Sequence, residues 1–160
     1  MKLLFSDVML ELHVPAFQPV KDFYGNLGYE VVWEKPAVDD KGYLVMRNGT
    51  SILNFYCGTD TVYDHEFFGR FPANTPRGYG VEIVIPSDDI EALFNHVKQL
   101  YPDSIVAPLP GKRSHKDFRM TDPFGYYLRF VERYNWVDGR DAQGRPLAPP
   151  KEHRSAQNGQ

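Results

Sequence analysis

Three side chains that could bind a metal or move a proton lie on segments whose other residues are suited to burial. Glu11 and His13 alternate with apolar residues in DVMLELHV, and Glu82 holds a similar position in GVEIVIP. Two carboxylates and an imidazole suit iron or zinc, and either carboxylate could serve as a general base. Arg129, in YYLRFVE, differs because a guanidinium has no lone pair to give. Its inward position favours either an ion pair with Glu82 or contact with a charged or amide-rich ligand.

Aromatic side chains are the second resource for binding. Several lie outside or at the edges of the regular hydrophobic pattern: Trp33, Tyr63, Phe67, Phe68, Phe71 and Trp136. Each could be ordinary packing, and together they could line a groove that stacks a flat ligand. Cys57, at the end of a strand pattern, is expected to be a small core residue, because no histidine is placed beside it to activate a thiol.

Composition restricts the class of protein. The chain has 160 residues, 42% of them hydrophobic, which is enough for one domain with a sizeable core. A net charge of -3 gives no electrostatic basis for binding nucleic acid or an anionic membrane. A single cysteine excludes an intrachain disulfide. Without a signal-peptide core or a membrane-length apolar run, we expect a cytoplasmic protein.

The pattern of elements occurs twice. An alternating strand is followed by a helical stripe in VKDFYGNLGY, then by three strands with a hairpin signal at Asn48-Gly49. The second copy has a strand, a helix over about 90–100 with Ser87 as the expected N-cap, and three more strands, with the turn Asp122-Pro123-Phe124-Gly125 before the last. We therefore predict an α+β fold of two tandem βαβββ modules, over about 7–57 and 79–133.

Two segments fall outside the modules. Residues 58–78 form an irregular linker inside the predicted domain, which extends over 1–137. The polar tail, 138–160, has no aromatic residue and one large aliphatic residue, so we expect it to be extended or disordered.

The sequence resembles the vicinal oxygen chelate superfamily, which includes glyoxalases, bleomycin-resistance proteins and extradiol dioxygenases. The matching stretches are VKDFYGNLGYEVVW, IPSDDIEALFNHV and KDFRMTDPFGYYLRFVE, and the resemblance extends over about 7–133. It implies that the curved mixed sheets of the two modules enclose a cleft. Metal-using members bind a divalent ion at four strand positions, which here are Met9, Asn54, Glu82 and Arg129. A thioether, an amide and a guanidinium replace the usual ligands, so we expect no metal and no cofactor.

The resemblance therefore favours the metal-free, bleomycin-resistance type of member: a homodimer that sequesters an antibiotic or metabolite. Acidic and aromatic walls suit a cationic, aromatic ligand. The expected ligand-binding residues are those on the cleft face, with Trp33 as a stacking surface: Glu11, His13, Trp33, Asn54, Tyr56, Glu82, Tyr127 and Arg129. Glu82 and Arg129 could instead pair with each other.

An enzyme is the alternative function. It would be a lyase, isomerase or dioxygenase with a displaced metal site at Glu11, His13 and Glu82, or a metal-free reaction with a Glu base. Arg129 would lower the pKa of a neighbouring Glu82, which leaves Glu11 as the better base. The binding function assigns no catalytic residue. A third hypothesis is an accessory module whose tail or strand edges bind another protein.

Overall fold

The computed structural model describes residues 9–38, 41–109, 116–135, 139–141 and 144–146. The first module packs one helix on a four-stranded sheet of order β1-β4-β3-β2, in which β1 runs parallel to β4. Its elements are β1 (Glu11–Val14), α1 (Gln18–Asn26), β2 (Glu30–Lys35), β3 (Gly42–Asn48) and β4 (Ser51–Cys57). The predicted hairpin is confirmed: Gly49 adopts φ +58°, a left-handed conformation that glycine tolerates.

The second module repeats this topology with the order β5-β8-β7-β6 and a parallel β5–β8 pair. Its elements are β5 (Glu82–Ser87), α2 (Ile90–Leu100), β6 (Ile105–Ala107), β7 (Asp117–Thr121) and β8 (Tyr127–Glu132). The predicted α+β fold of two βαβββ modules is thus confirmed. The two sheets remain separate and do not close on each other.

The expected N-cap of α2 is wrong. Ser87 is the last residue of β5, where it pairs with Glu132 of β8. Asp89 caps the helix instead, because its carboxylate accepts the backbone N–H of Ala92 at 2.9 Å. An N-cap must lie immediately before the first helical residue, which here is Ile90.

The linker contains two short 3-10 helices, Asp60–Asp64 and Phe68–Arg70. The described part of the predicted tail includes β10 (Arg140–Asp141), which pairs antiparallel with β9 (Tyr134–Asn135). The rest of the tail and Trp136 lie outside the described residues.

The modules share one hydrophobic core beneath their helices. Hydrogen bonds also join the two modules: the Tyr24 hydroxyl of α1 donates to buried Asp122, and the Asn26 amide donates to the Tyr101 hydroxyl. None of the described helices has the length and apolarity needed to cross a membrane. The packed helical side leaves the other face of each sheet to carry functional residues.

Candidate functional site

The outer face of the first sheet carries five of the eight predicted residues. The alternation of β1 sends Leu12 and Val14 to the core and Glu11 and His13 to the opposite face. Register places Asn54 beside Glu11 and Tyr56 beside His13. The fifth residue, Trp33, lies on β2, two strands from β4, and is half exposed.

The other three, Glu82, Tyr127 and Arg129, lie on the outer face of the second sheet, where Glu82 pairs in register with Tyr127. No hydrogen bond, ion pair or ring contact between described residues joins this set to the first. Within one chain the eight residues therefore occupy two surfaces.

Arg129 is held mainly by a residue that the sequence analysis did not single out. Its Nη2 and Nε lie 2.6 and 2.8 Å from Oδ2 of Asp117, a buried carboxylate on the neighbouring strand. Glu82 is bound at 3.0 Å by Arg119 and lies 3.9 Å from Arg129. The expected Glu82–Arg129 pair is thus the weaker part of a neutral four-residue network. The alternation in DFRMT was the available signal for Asp117 and Arg119.

The four superfamily metal positions do not form a donor set. Met9 is three-quarters exposed, Asn54 is buried beside Glu11, and Arg129 is engaged by Asp117. Within the part of the chain that the structure describes, no three His, Cys, Asp or Glu side chains are grouped so as to hold a metal ion. The side chains at these four positions therefore do not fit a resident divalent metal.

A cavity of about 600 Å³ lies between β1 and the linker. We call it the linker cavity. Glu11 and His13 contribute to one wall, and the second module contributes Val81, just before β5, and Tyr126, just before β8. The linker supplies most of the remaining lining, including four of the aromatic residues noted above: Tyr63, Phe67, Phe68 and Phe71. The other six predicted site residues do not line it.

Arg77 fixes the linker against β1. Its Nη1 donates to the carbonyl of His13 at 3.1 Å, and its guanidinium lies 4.8 Å from the ring centre of Tyr63. The Tyr126 hydroxyl donates to the same carbonyl at 3.0 Å. Gly78, at φ +67°, lets the chain pass the Tyr126 ring, which a Cβ would approach to 2.7 Å. The two hydrogen bonds to the His13 carbonyl span 64 and 113 residues, so no local pattern could have revealed them.

Glu11 and His13 form a polar pair at the wall of the linker cavity. His13 Nε2 lies 3.4 Å from Glu11 Oε1, and the Tyr43 hydroxyl also lies near Glu11. Burial lowers the pKa of His13 despite the opposing effect of Glu11, so the imidazole is neutral at pH 7. Burial, reinforced by the nearby Glu11 carboxylate, raises the pKa of Tyr43 to about 12. The Glu11 carboxylate therefore has two neutral partners, and no described Lys or Arg pairs with it.

The environment of the His13 ring is aromatic. Tyr56, His65 and Phe68 contact it edge-on, with centroids 5.0, 5.2 and 4.8 Å away. Its Nδ1 is buried and has no hydrogen-bond partner among described residues. The cavity thus presents aromatic surface, a neutral imidazole and a carboxylate that is paired with no described Lys or Arg.

Comparison with solved structures identifies the fold. A bleomycin-binding protein complexed with bleomycin matches with a TM-score of 0.55 and 16% identity, over 81% of this chain and 99% of that one. A glyoxalase family protein from Enterococcus faecalis matches with a TM-score of 0.55 and 21% identity, over 80% of this chain and 98% of that one. A hypothetical protein from S. aureus matches with a TM-score of 0.60 and 16% identity, over 81% of this chain and 95% of that one. No family model and no curated protein matches the sequence. The chain has the vicinal oxygen chelate fold.

Proposed function

We propose that this chain is a small-molecule-binding protein that sequesters an antibiotic or metabolite in the linker cavity without a metal. The linker cavity is the observation that carries this proposal. Its volume of about 600 Å³ falls within the roughly 300–1,000 Å³ typical of ligand sites. Its largely apolar lining with a few polar groups is also typical of such sites.

The ligand that fits this lining is aromatic and cationic. The rings of Tyr63, Phe67, Phe68 and Phe71 offer faces and edges for stacking. Glu11 is an anion whose described partners are neutral, so a ligand cation would gain a charge-assisted hydrogen bond there. That a protein of the same fold is a bleomycin-binding protein supports the binding class.

A homodimer is part of the proposal. The outer faces of both sheets leave large apolar side chains about half exposed, among them Trp33 on β2 and Val84 on β5. A second copy would remove this surface from water. It would also bring together the two groups of predicted residues that a single chain leaves apart, so that Asn54, Tyr56, Trp33, Glu82, Tyr127 and Arg129 could contact a ligand that extends beyond the linker cavity.

Blocking the linker cavity tests the proposal. Val81 is half exposed at the cavity wall, so Val81→Trp adds an indole there, whereas Val106→Trp adds the same group to β6, away from the cavity. Binding of 1-naphthylmethylamine is measured by calorimetry. We expect Val81→Trp to weaken binding by about tenfold or more, a loss of roughly 1.4 kcal/mol, while Val106→Trp binds as the parent does. Equal loss in both variants, or no binding by the parent, would overturn the proposal.

A further inference from the structure

Glu11 and His13 form a pair whose charge state depends on one proton. The two side chains approach to 3.4 Å at the wall of the linker cavity. Arg77, the cavity's other charged residue, is directed at the Tyr63 ring and the His13 carbonyl and forms no described ion pair with Glu11. The carboxylate can therefore gain a positive partner from a bound ligand or from His13 itself.

These two partners exclude each other. While His13 is neutral, a ligand ammonium group is the available counter-ion for Glu11. Once protonated, His13 becomes an imidazolium 3.4 Å from the carboxylate and repels a second cation placed beside it. Resting on the function proposed above, we propose that the Glu11–His13 pair is a proton-controlled receptor for the ligand's ammonium group, which binds while His13 is neutral and is released when His13 gains a proton.

The groups around His13 place this exchange below the ordinary histidine pKa of 6.5. Burial lowers the pKa of His13 most, Glu11 opposes this by raising it, and the nearby His65 and Arg77 side chains lower it further. The other described neighbours are uncharged: Tyr56 and Phe68 contact the ring, and the Tyr126 hydroxyl donates to the backbone carbonyl. His65 Nδ1 accepts the backbone N–H of Phe67, so its neutral form carries the proton on Nε2.

The direction of the pH effect follows from linkage. Above the His13 pKa, cation binding displaces no proton from the pair, so the dissociation constant does not change with pH. Below it, each bound ammonium displaces one proton, so the dissociation constant rises by at most about tenfold per pH unit. Reciprocally, a bound ammonium lowers the pKa of His13 further, because it stabilises the neutral imidazole.

The test compares two probes with the same ring system, 1-naphthylmethylamine and the uncharged 1-naphthalenemethanol. Their dissociation constants are measured by calorimetry from about pH 8 to about pH 5, where the amine stays protonated and histidine titrates. We expect the amine to bind about tenfold more tightly than the alcohol at high pH. This preference should disappear with acid.

Three variants separate the causes. Glu11→Gln should abolish the preference for the amine at every pH, and His13→Gln should retain it in acid. His96→Gln is the matched control and should follow the parent, because His96 lies on α2, where its Nε2 contacts the Asn26 carbonyl. Should His13→Gln fail to fold, NMR titration of the parent replaces it, and the His13 pKa must then fall when the amine binds.

The outcomes distinguish this inference from the function on which it rests. Three outcomes would overturn the inference alone. In the first, the preference for the amine does not change with pH, and in the second, its loss in acid persists in His13→Gln. The third is a His13 pKa that stays the same when the amine binds. Equal affinity for amine and alcohol at every pH would overturn it together with the proposed ligand charge. If neither probe binds at any pH, the proposed binding function fails as well.

Discussion

The hydrogen bond between Tyr24 and Asp122 gives a quantitative test of how the modules are held together. The Tyr24 hydroxyl in α1 donates to Asp122 Oδ2 at 3.0 Å, 98 positions away along the chain. Asp122 is only 4% exposed, and its other oxygen accepts the backbone N–H groups of Phe124 and Tyr126 at 2.9 and 2.8 Å. Tyr24→Phe removes one donor from a buried carboxylate. Leaving that oxygen unsatisfied should lower the free energy of unfolding by about 1–3 kcal/mol.

Urea unfolding followed by circular dichroism measures this change, provided that the denaturant slope stays constant. Tyr29→Phe is the matched control. The Tyr29 hydroxyl is buried in the same core, has Ser51 nearby and makes no hydrogen bond of normal geometry, so its removal should cost less than about 0.5 kcal/mol. Equal effects of Tyr24→Phe and Tyr29→Phe would refute the reasoning.

The same carboxylate should leave a pH signature. Burial raises the pKa of Asp122 above its ordinary value of 3.8, although the hydrogen bonds from Tyr126, Phe124 and Tyr24 oppose the shift. Because the folded-state pKa is the higher one, its stabilising contribution is complete below pH 3.8 and is lost as the pH rises through the folded value. Asp122→Asn should remove this slope from stability measured between about pH 3 and pH 6.

Two further substitutions test assignments made from the structure. Asp117→Asn keeps the side chain's size but removes the charge that binds Arg129 through two nitrogens. The free energy of unfolding, measured in urea, should fall by about 1–3 kcal/mol. No loss of stability would show that Glu82 is a sufficient partner for Arg129. Asp89→Ala removes the N-cap of α2 and should lower the free energy of unfolding by about 0.5–2 kcal/mol, measured by thermal or urea unfolding. Ser87→Ala should change it by less than about 0.5 kcal/mol. A larger effect of Ser87→Ala than of Asp89→Ala would restore Ser87 as the cap.

The fold was predictable because its signals are local. Asn48-Gly49 specifies a hairpin, Asp122 to Gly125 specifies another turn, and the alternation in each strand determines which face is buried. Ser87 shows the limit of such reasoning. Its residue type suits an N-cap, but pairing with Glu132 extends β5 through it and leaves the cap to Asp89.

The candidate site was predictable only where it lies on a strand. Glu11 and His13 follow from the alternation of β1, and both line the linker cavity. The opposite wall belongs to a segment with no hydrophobic period, so the aromatic residues there could be noted but not placed. Arg77 carried no signal, because its role depends on a carbonyl 64 residues earlier in the chain.

The linker also breaks the internal symmetry of the chain. A duplicated βαβββ unit would by itself offer two equivalent sites, one on each module, related by a pseudo-twofold axis. The segment that walls the linker cavity connects the modules and therefore occurs once, between β4 and β5. Its contact with β1 has no counterpart at β5 among the described residues, so the cavity belongs to the whole chain and to neither half. Ligand binding there should saturate at one molecule per chain, whether the chain is single or assembled.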